Sequence, residues 1–421
     1  MAVTAFSVPS LSRGFFEHAN SFRPASASSG PPRSCASGDG RQNSRTFSAV
    51  MAAGALALCH LQSLRSWRRP TPRVPRHGRA RRLRDKLLRP ETGIAMAPEP
   101  AWCPPGGVQV LSGLSQLVDR YDAFLLDQYG VLHDGRTAYP GVAETLAKLK
   151  ATGKPSVILS NYAGRAATQR EKLPGLGLNP DDVDAIMTSG ELAYNYLARN
   201  QGKLGTRVLW IAWADREGRG LSDFFDDLPE YSLASNVEDA DFVLVSGSQS
   251  LFAGTEEELM TDYERDGEPR PFAATFRKCV QKNMPMICAN PDIQVVRPGG
   301  WKGHLGGSLA AVYEKLGGRV IYFGKPYTAA FEEARRVVAE LLDADVDGEE
   351  ALRICHVGDS LHHDIGGASA VGLETAFVVR TGLHAEDLGG EAESITAALV
   401  TALCNKEEVT PPQSVLPVFR W

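Results

Sequence analysis

The chain has 421 residues, 43% hydrophobic and 23% charged, with a formal net charge of −5, which is the composition of a globular protein and excludes a fibrous or wholly disordered one. Its charge is unevenly spread. Residues 1–90 hold 15 Arg and Lys86 against Glu17, Asp39 and Asp85, a balance of +13, which leaves −18 on the other 331 residues; so acidic a body argues against nucleic-acid binding by the folded part.

The basic head is rich in Ser, Arg and Pro and nearly free of acids, a composition that cannot bury a core and matches organellar transit peptides. Residues 1–97 read as a removable or disordered targeting leader. The expected destination is a plastid or mitochondrion; the alternative is a cytoplasmic body starting at Met96. A basic tail that binds nucleic acid is the other reading of this segment. The apolar run Ala49 to Cys59 is too short for a membrane-spanning helix of about 20 residues. Seven scattered cysteines, with no Cys-x-x-Cys pair, fit free thiols better than a disulfide framework or zinc site.

From residue 107 the chain alternates apolar runs with amphipathic stretches. "AFLLD" and "PSVILSN" are strand-like, and "GVAETLAKLKATG" between them has helical spacing with a stop at Gly153. A helix broken at Pro174 follows, then a strand, turn and helix in "DAIMTSGELAYNYLARN". "TRVLWIAW", "ADFVLVSG" and "MPMICAN" are further β-rich runs. The last third resumes with "VIYFGKP", "FEEARRVVAELL", "RICHVGDS" and "ETAFVVRTG", while the terminal "SVLPVFRW" carries no readable signal. Such repetition predicts an α/β fold, a doubly wound and mostly parallel sheet covered on both faces.

Several of these runs end in polar groups: Asp127, Ser160–Asn161, Lys325, and Asp359 with Asp364 five residues on. Strand C-termini of a parallel sheet converge on one edge, so these groups can meet around one ligand. A nucleophile, a hydroxyl and amide, a cation and an acidic pair suit phosphoryl transfer assisted by a hard cation. Each residue also has a plainer reading: Asp359 and Asp364 as helix N-cap and first-turn acids, Ser160 as a turn cap, Lys325 as a solvated charge.

Taken in order, the four motifs resemble those of haloacid dehalogenase-like (HAD) hydrolases, in the capped class IIA group of NagD-like and 4-nitrophenyl phosphatase-like proteins, over essentially all of 107–390. "TSGELA" at 188–193, "CANPD" at 288–292 and the glycines of 299–310 support the match. The resemblance implies a Rossmann-like core over 98–187 and 297–421, with an inserted α/β (C2-type) cap over 188–296. It makes Asp127 the nucleophile that forms an aspartyl-phosphate. Ser160 and Asn161 become the phosphate cradle, and Lys325 pairs with both phosphate and nucleophile. Mg²⁺ would be held by Asp127, Asp359, Asp364 and the backbone carbonyl of Tyr129. Arg165 sits where relatives carry a basic residue. Asn290 and Asp292 fall near the interface at the return crossing. Trp213, Asp215, Arg216 and Arg297 are cap candidates, and His356, His362 and His363 are left as loop or packing residues rather than ligands.

Tyr129 departs from the pattern. Relatives carry there a second Asp, the general acid for the leaving group and later the base for water. A phenol with pKa about 10 does neither well near neutrality, and loss of a general acid/base costs about 10²–10⁴-fold. Three outcomes stay open: another group such as Asp134 supplies the proton, the substrate has a good leaving group, or a phosphorylated metabolite is bound without turnover. The expected function is Mg²⁺-dependent hydrolysis of a small phosphorylated metabolite, slow or restricted to good leaving groups. The alternative is a non-catalytic phosphometabolite-binding or regulatory protein. No nucleic-acid partner and no membrane span are expected, and a homodimer through the cap is implied by the resemblance.

Overall fold

The computed structural model describes residues 107–421 except 218, 220, 223, 298–300, 346–351 and 390–393. The leader expected over 1–97 lies outside the described residues, which all belong to the unit Asp85–Trp421.

Two sheets organise the fold. The first has seven strands in the order Gln109–Val110, Ser414–Leu416, Glu374–Val378, Ile354–Gly358, Ala123–Leu126, Ser156–Ser160 and Ala185–Thr188, every neighbouring pair parallel. Side-chain alternation explains the unbroken apolar run at its centre. Phe124 and Leu126 join one buried cluster, while Ala123 and Leu125 join another. The helix Val142–Ala151 adds Val142, Leu146 and Leu149 to the first cluster, and Thr328–Leu341 adds Phe331, Ala334 and Val338 to the second. Both sets have the spacing of one helical face.

The second sheet runs Arg319–Tyr322, Pro285–Cys288, Phe242–Val245, Arg207–Ala212, Ser250–Leu251 and Leu259–Met260, with Ser232–Leu233 also paired to Arg207–Ala212. The last two pairings along this order are antiparallel and the others parallel. It too is covered on both faces: Leu209 and Ile211 enter one cluster, Val208, Trp210 and Ala212 another. The mostly parallel α/β architecture with a second, inserted α/β layer is therefore as the sequence implies. Among the described residues no helix is long and apolar enough to cross a membrane.

Two details differ from the sequence reading. A boundary placed at 296 is too early, because Arg319–Tyr322 pairs in parallel with Pro285–Cys288, setting Tyr322 opposite Cys288. The helix Gly306–Lys315 buries Leu309, Ala310 and Tyr313 in that sheet's cluster as well. The chain returns to the first sheet's layer only at about Lys325. An apolar edge strand reads alike whichever sheet it completes, so composition does not separate the two. The unreadable C-terminus is the second difference: Ser414–Leu416 inserts between Gln109–Val110 and Glu374–Val378, and Phe419 is buried in the first cluster.

Candidate active site

Parallel register sets Leu126 beside Val357 and Ile158. Asp127, Ser160 and Asp359 therefore leave three adjacent strands at one edge of the first sheet, and all three are buried. Asp127 is anchored by its N–H, which donates to the Val357 carbonyl at 2.9 Å. The Ser160 hydroxyl oxygen accepts the Tyr162 N–H at 3.3 Å.

Lys325 arrives differently from the expected route. Its preceding strand ends at Tyr322 in the second sheet, so the lysine comes from the crossing between sheets rather than from a strand end of the first. Its Nζ donates to Asp127 Oδ1 at 2.5 Å and to Asp364 Oδ1 at 2.7 Å. Asn161 fixes the backbone behind it. Asn161 Oδ1 accepts the Lys325 N–H at 2.7 Å, and Nδ2 donates to the Lys325 carbonyl at 2.8 Å and to Asp292 Oδ1 at 2.7 Å. Both amide protons are thus in use, which corrects the assignment of this side chain to the phosphate cradle: it is a clamp on Lys325. Gly324 permits the close approach, with φ +109° and a hypothetical Cβ only 2.4 Å from Asn161 Oδ1.

Carboxylate oxygens of Asp127, Asp359 and Asp364 lie within 4.8 Å of one another. Asp364 is saturated by protein donors. Oδ1 takes Lys325 Nζ and contacts His356 Nε2 at 2.9 Å, and Oδ2 accepts the N–H groups of Asp359 at 3.1 Å and Ser360 at 2.9 Å. Asp359 is less engaged, with Oδ2 accepting the Leu383 N–H at 2.7 Å. Gly130, at φ +88°, leaves room for it, since a Cβ there would stand 2.2 Å from Asp359 Oδ2.

Electrostatics separates the three acids. Burial raises the Asp359 pKa well above the ordinary carboxylate value, and the charges of Asp127 and Asp364 raise it further. Burial also raises Asp127, against the pull of Lys325. For Asp364 burial acts upward but is overcome by Lys325 and His356, leaving its pKa low. Lys325 loses solvation on burial, yet Asp127 and Asp364 hold its ammonium charged. Three buried carboxylates face one ammonium, so the donor set has an unmet demand for positive charge and offers only hard oxygen atoms.

The remaining candidates are dispersed. Arg165 donates to Glu191 at 2.7 Å and 3.2 Å and stacks on Tyr194 at 3.3 Å, so it ties two helices together rather than reaching Asp127. Asn290 Oδ1 accepts the Asp292 N–H at 3.1 Å, and Asp292 braces Asn161 and lies 3.3 Å from His363; both shape the crossing. Asp134 Oδ1 accepts the N–H groups of Arg136 and Thr137, each at 2.8 Å, and these bonds lower its pKa, which makes it a poor proton donor. Tyr129 is 39% exposed, its ring against Gly135. Partial burial raises its phenol above the ordinary value, with Arg297 pulling the other way.

Models of two families match the chain, haloacid dehalogenase-like hydrolase over residues 124–217 and HAD-hydrolase-like over 322–404. These segments contain Asp127 and Ser160 on one side, Lys325, Asp359 and Asp364 on the other. Over both segments the chain is similar to haloacid dehalogenase-like hydrolases. Phosphoglycolate phosphatase 2 of Arabidopsis thaliana is 26% identical over 281 residues, covering 65% of this chain and 88% of that protein. Ribonucleotide monophosphatase NagD of Escherichia coli K12 is 29% identical over 261 residues, 61% of this chain and 86% of its own. A crystal structure of a haloacid dehalogenase-like hydrolase from Brucella suis 1330 superposes with a TM-score of 0.56 at 26% identity, covering 73% of this chain and 99% of that one.

Sequence reasoning misses one member of this HAD-like site. His356 is fully buried and touches Asp364, although the histidines read as loop or packing residues. The available signal is positional: His356 interrupts the apolar strand "ICHVG", where a buried polar group requires a partner.

Proposed function

We propose that this HAD-like hydrolase is a divalent-cation-dependent phosphatase acting on a small phosphorylated metabolite through Asp127. The contact that carries the reading is Lys325 Nζ bridging Asp127 and Asp364 at 2.5 Å and 2.7 Å beside the otherwise underneutralised Asp359. The residues fit a hard cation. Asp127, Asp359 and the Tyr129 carbonyl would hold Mg²⁺, with Asp364 acting through water because its own oxygens are taken. When bound, such an ion neutralises negative charge on the phosphoryl oxygens and the carboxylates.

The chain's own groups do the rest. Lys325 orients Asp127 and withdraws charge from the phosphoryl group, and the Ser160 hydroxyl supports a phosphoryl oxygen. An Asp127 oxygen forms a bond to phosphorus while the bond to the leaving oxygen breaks, and that oxygen takes a proton from solvent. Water then attacks the phosphorus of the aspartyl-phosphate, the Asp127–phosphorus bond breaks, and phosphate departs with the proton while the carboxylate is restored. Tyr129, half-exposed and with a raised pKa, offers no proton transfer near neutrality. Turnover is therefore slow or confined to good leaving groups. The phosphatase names of the relatives support the reaction class, and the basic, acid-poor head supports delivery to an organelle.

The test is phosphate release by the full chain with Mg²⁺, across acyl phosphates, aryl phosphates and alkyl phosphomonoesters, beside Asp127→Asn. Release that falls in that order and vanishes in the variant supports the reading. Binding of phosphorylated compounds without any release would support the non-catalytic alternative.

A further inference from the structure

His356 lies in the middle of the strand Ile354–Gly358, flanked by Ala123–Leu126 and Glu374–Val378, and none of its surface is exposed. Strand alternation sends its ring to the face of Ile354, away from Cys355 and Val357, which pack in the other cluster. There Phe331 of the helix Thr328–Leu341 meets it edge-on, with ring centroids 5.3 Å apart. Ala123, Leu125, Ala334 and Val338 complete the same apolar layer. A methionine or leucine would fill such a layer without the cost of desolvating a polar ring. Packing therefore does not account for the imidazole.

Its polar contact does. Nδ1 has no hydrogen-bond partner among the described residues, while Nε2 lies 2.9 Å from Asp364 Oδ1. Lys325 keeps this carboxylate ionised, so it only accepts, and the hydrogen of the contact sits on Nε2. Asp364 comes within reach because the π-turn Leu361–Gly366 carries it back over Gly358, where a Cβ would stand 2.2 Å from the Asp364 side chain. Gly358 and His356 share a strand face, so Asp364 rests over one and is gripped by the other. Two of its donors, the N–H groups of Asp359 and Ser360, come from the segment leading into its own turn, and Lys325 Nζ also bonds Asp127. His356 is the donor that ties the carboxylate to the interior of the first sheet.

We propose that His356 is a positioning residue: by donating from Nε2 it fixes Asp364 as the counter-ion of Lys325 and as the outer partner of a bound cation, and so sets where Lys325 Nζ stands against Asp127. Its effect on rate rests on the proposed phosphatase reading; its effect on cation binding does not. A carboxylate already held by its donors meets the water of a cation without being reordered, and loss of such an outer partner costs about 10–100-fold in metal affinity or activity.

Three variants of the full chain separate the donor from the ring. His356→Gln keeps an N–H near the Nε2 position. His356→Met keeps the volume and removes the donor, and His356→Asn places its amide near Nδ1, short of Asp364. Denaturant midpoints establish which variants are folded, and His356→Asn supplies the donorless comparison if His356→Met is not. The first readout is Mn²⁺ affinity, followed by electron paramagnetic resonance with no substrate present. It should weaken about 10–100-fold in the donorless variants and stay close to wild type in His356→Gln. The second is hydrolysis of an acyl phosphate with saturating Mg²⁺: kcat per folded enzyme should fall over the same range with little change in KM, and His356→Gln should recover it. Donorless variants that bind Mn²⁺ as tightly as wild type or more tightly, or a His356→Gln no better than they are, overturn the proposal. If no protein turns over substrate yet Mn²⁺ affinity follows the donor, His356 keeps its role towards Asp364 and the phosphatase reading fails. If turnover proceeds and kcat ignores the donor, the phosphatase reading stands and the positioning of Lys325 by His356 fails.

Discussion

Asn161 holds Lys325 by both of its backbone groups, through hydrogen bonds of 2.7 Å and 2.8 Å, although the two lie 164 positions apart in the sequence. The same amide reaches Asp292 at the crossing between sheets. Asn161→Ala removes all three bonds and leaves the buried Lys325 N–H without its partner, a loss of about 1–3 kcal/mol for such a group. The expected outcome is a lower denaturation midpoint and a fall in kcat larger than any change in KM. Equilibrium unfolding and steady-state kinetics on one acyl phosphate check both.

Removing the ammonium leaves the buried Asp127 and Asp364 facing each other. Lys325→Met should therefore destabilise the protein by about 3–5 kcal/mol, as breaking one side of a buried ion pair does. Measured in EDTA the loss should be largest, and Mg²⁺ should recover part of it by supplying charge to the same carboxylates. A variant equally stable with and without Mg²⁺ would remove the cation from this cluster.

The pH dependence of the metal-free protein follows from Asp359. Its folded pKa is raised by burial and by Asp127 and Asp364, so between the ordinary and the folded value the unfolded chain has released a proton that the folded chain still holds. Raising pH through that window favours unfolding. Stability in EDTA should fall as pH climbs above about 4, and Asp359→Asn should lack this component and be the more stable variant at neutral pH. Asp364 acts with the opposite sign: its low folded pKa contributes stability above the ordinary carboxylate value that is lost as pH falls below it. Denaturant titrations across pH, wild type against Asp359→Asn, isolate the first effect, and added Mg²⁺ should reverse the order of the two proteins.

Tyr129→Asp restores a carboxylate beside the proposed nucleophile. Hydrolysis of alkyl phosphomonoesters, which need a proton on the leaving oxygen, should rise by about 10²–10⁴-fold. Acyl phosphates should gain far less. Rates across leaving groups of graded pKa check this, and a uniform gain would show that Tyr129 obstructs access rather than lacking a proton.

What the sequence makes legible is what depends on local pattern. Asp127 follows an apolar run and Asp359 follows another, so their place at one sheet edge is readable before any coordinates. Contacts closed by distant segments are not. Nothing in "SNYAG" announces that Asn161 clamps Lys325, because the partner is a backbone brought in by a crossing whose position the apolar run Arg319–Tyr322 conceals. Nor does the strand Ser414–Leu416 stand out, three residues long and followed by Pro417.

The most direct test of the account is the covalent step. Full-length protein turning over an acyl phosphate with Mg²⁺ is quenched in acid and its peptides are weighed by mass spectrometry. The account predicts one acid-stable, hydroxylamine-sensitive phosphoryl adduct on the peptide containing Asp127, absent in Asp127→Asn. Phosphate release that proceeds without an adduct there, or that survives Asp127→Asn, would contradict it.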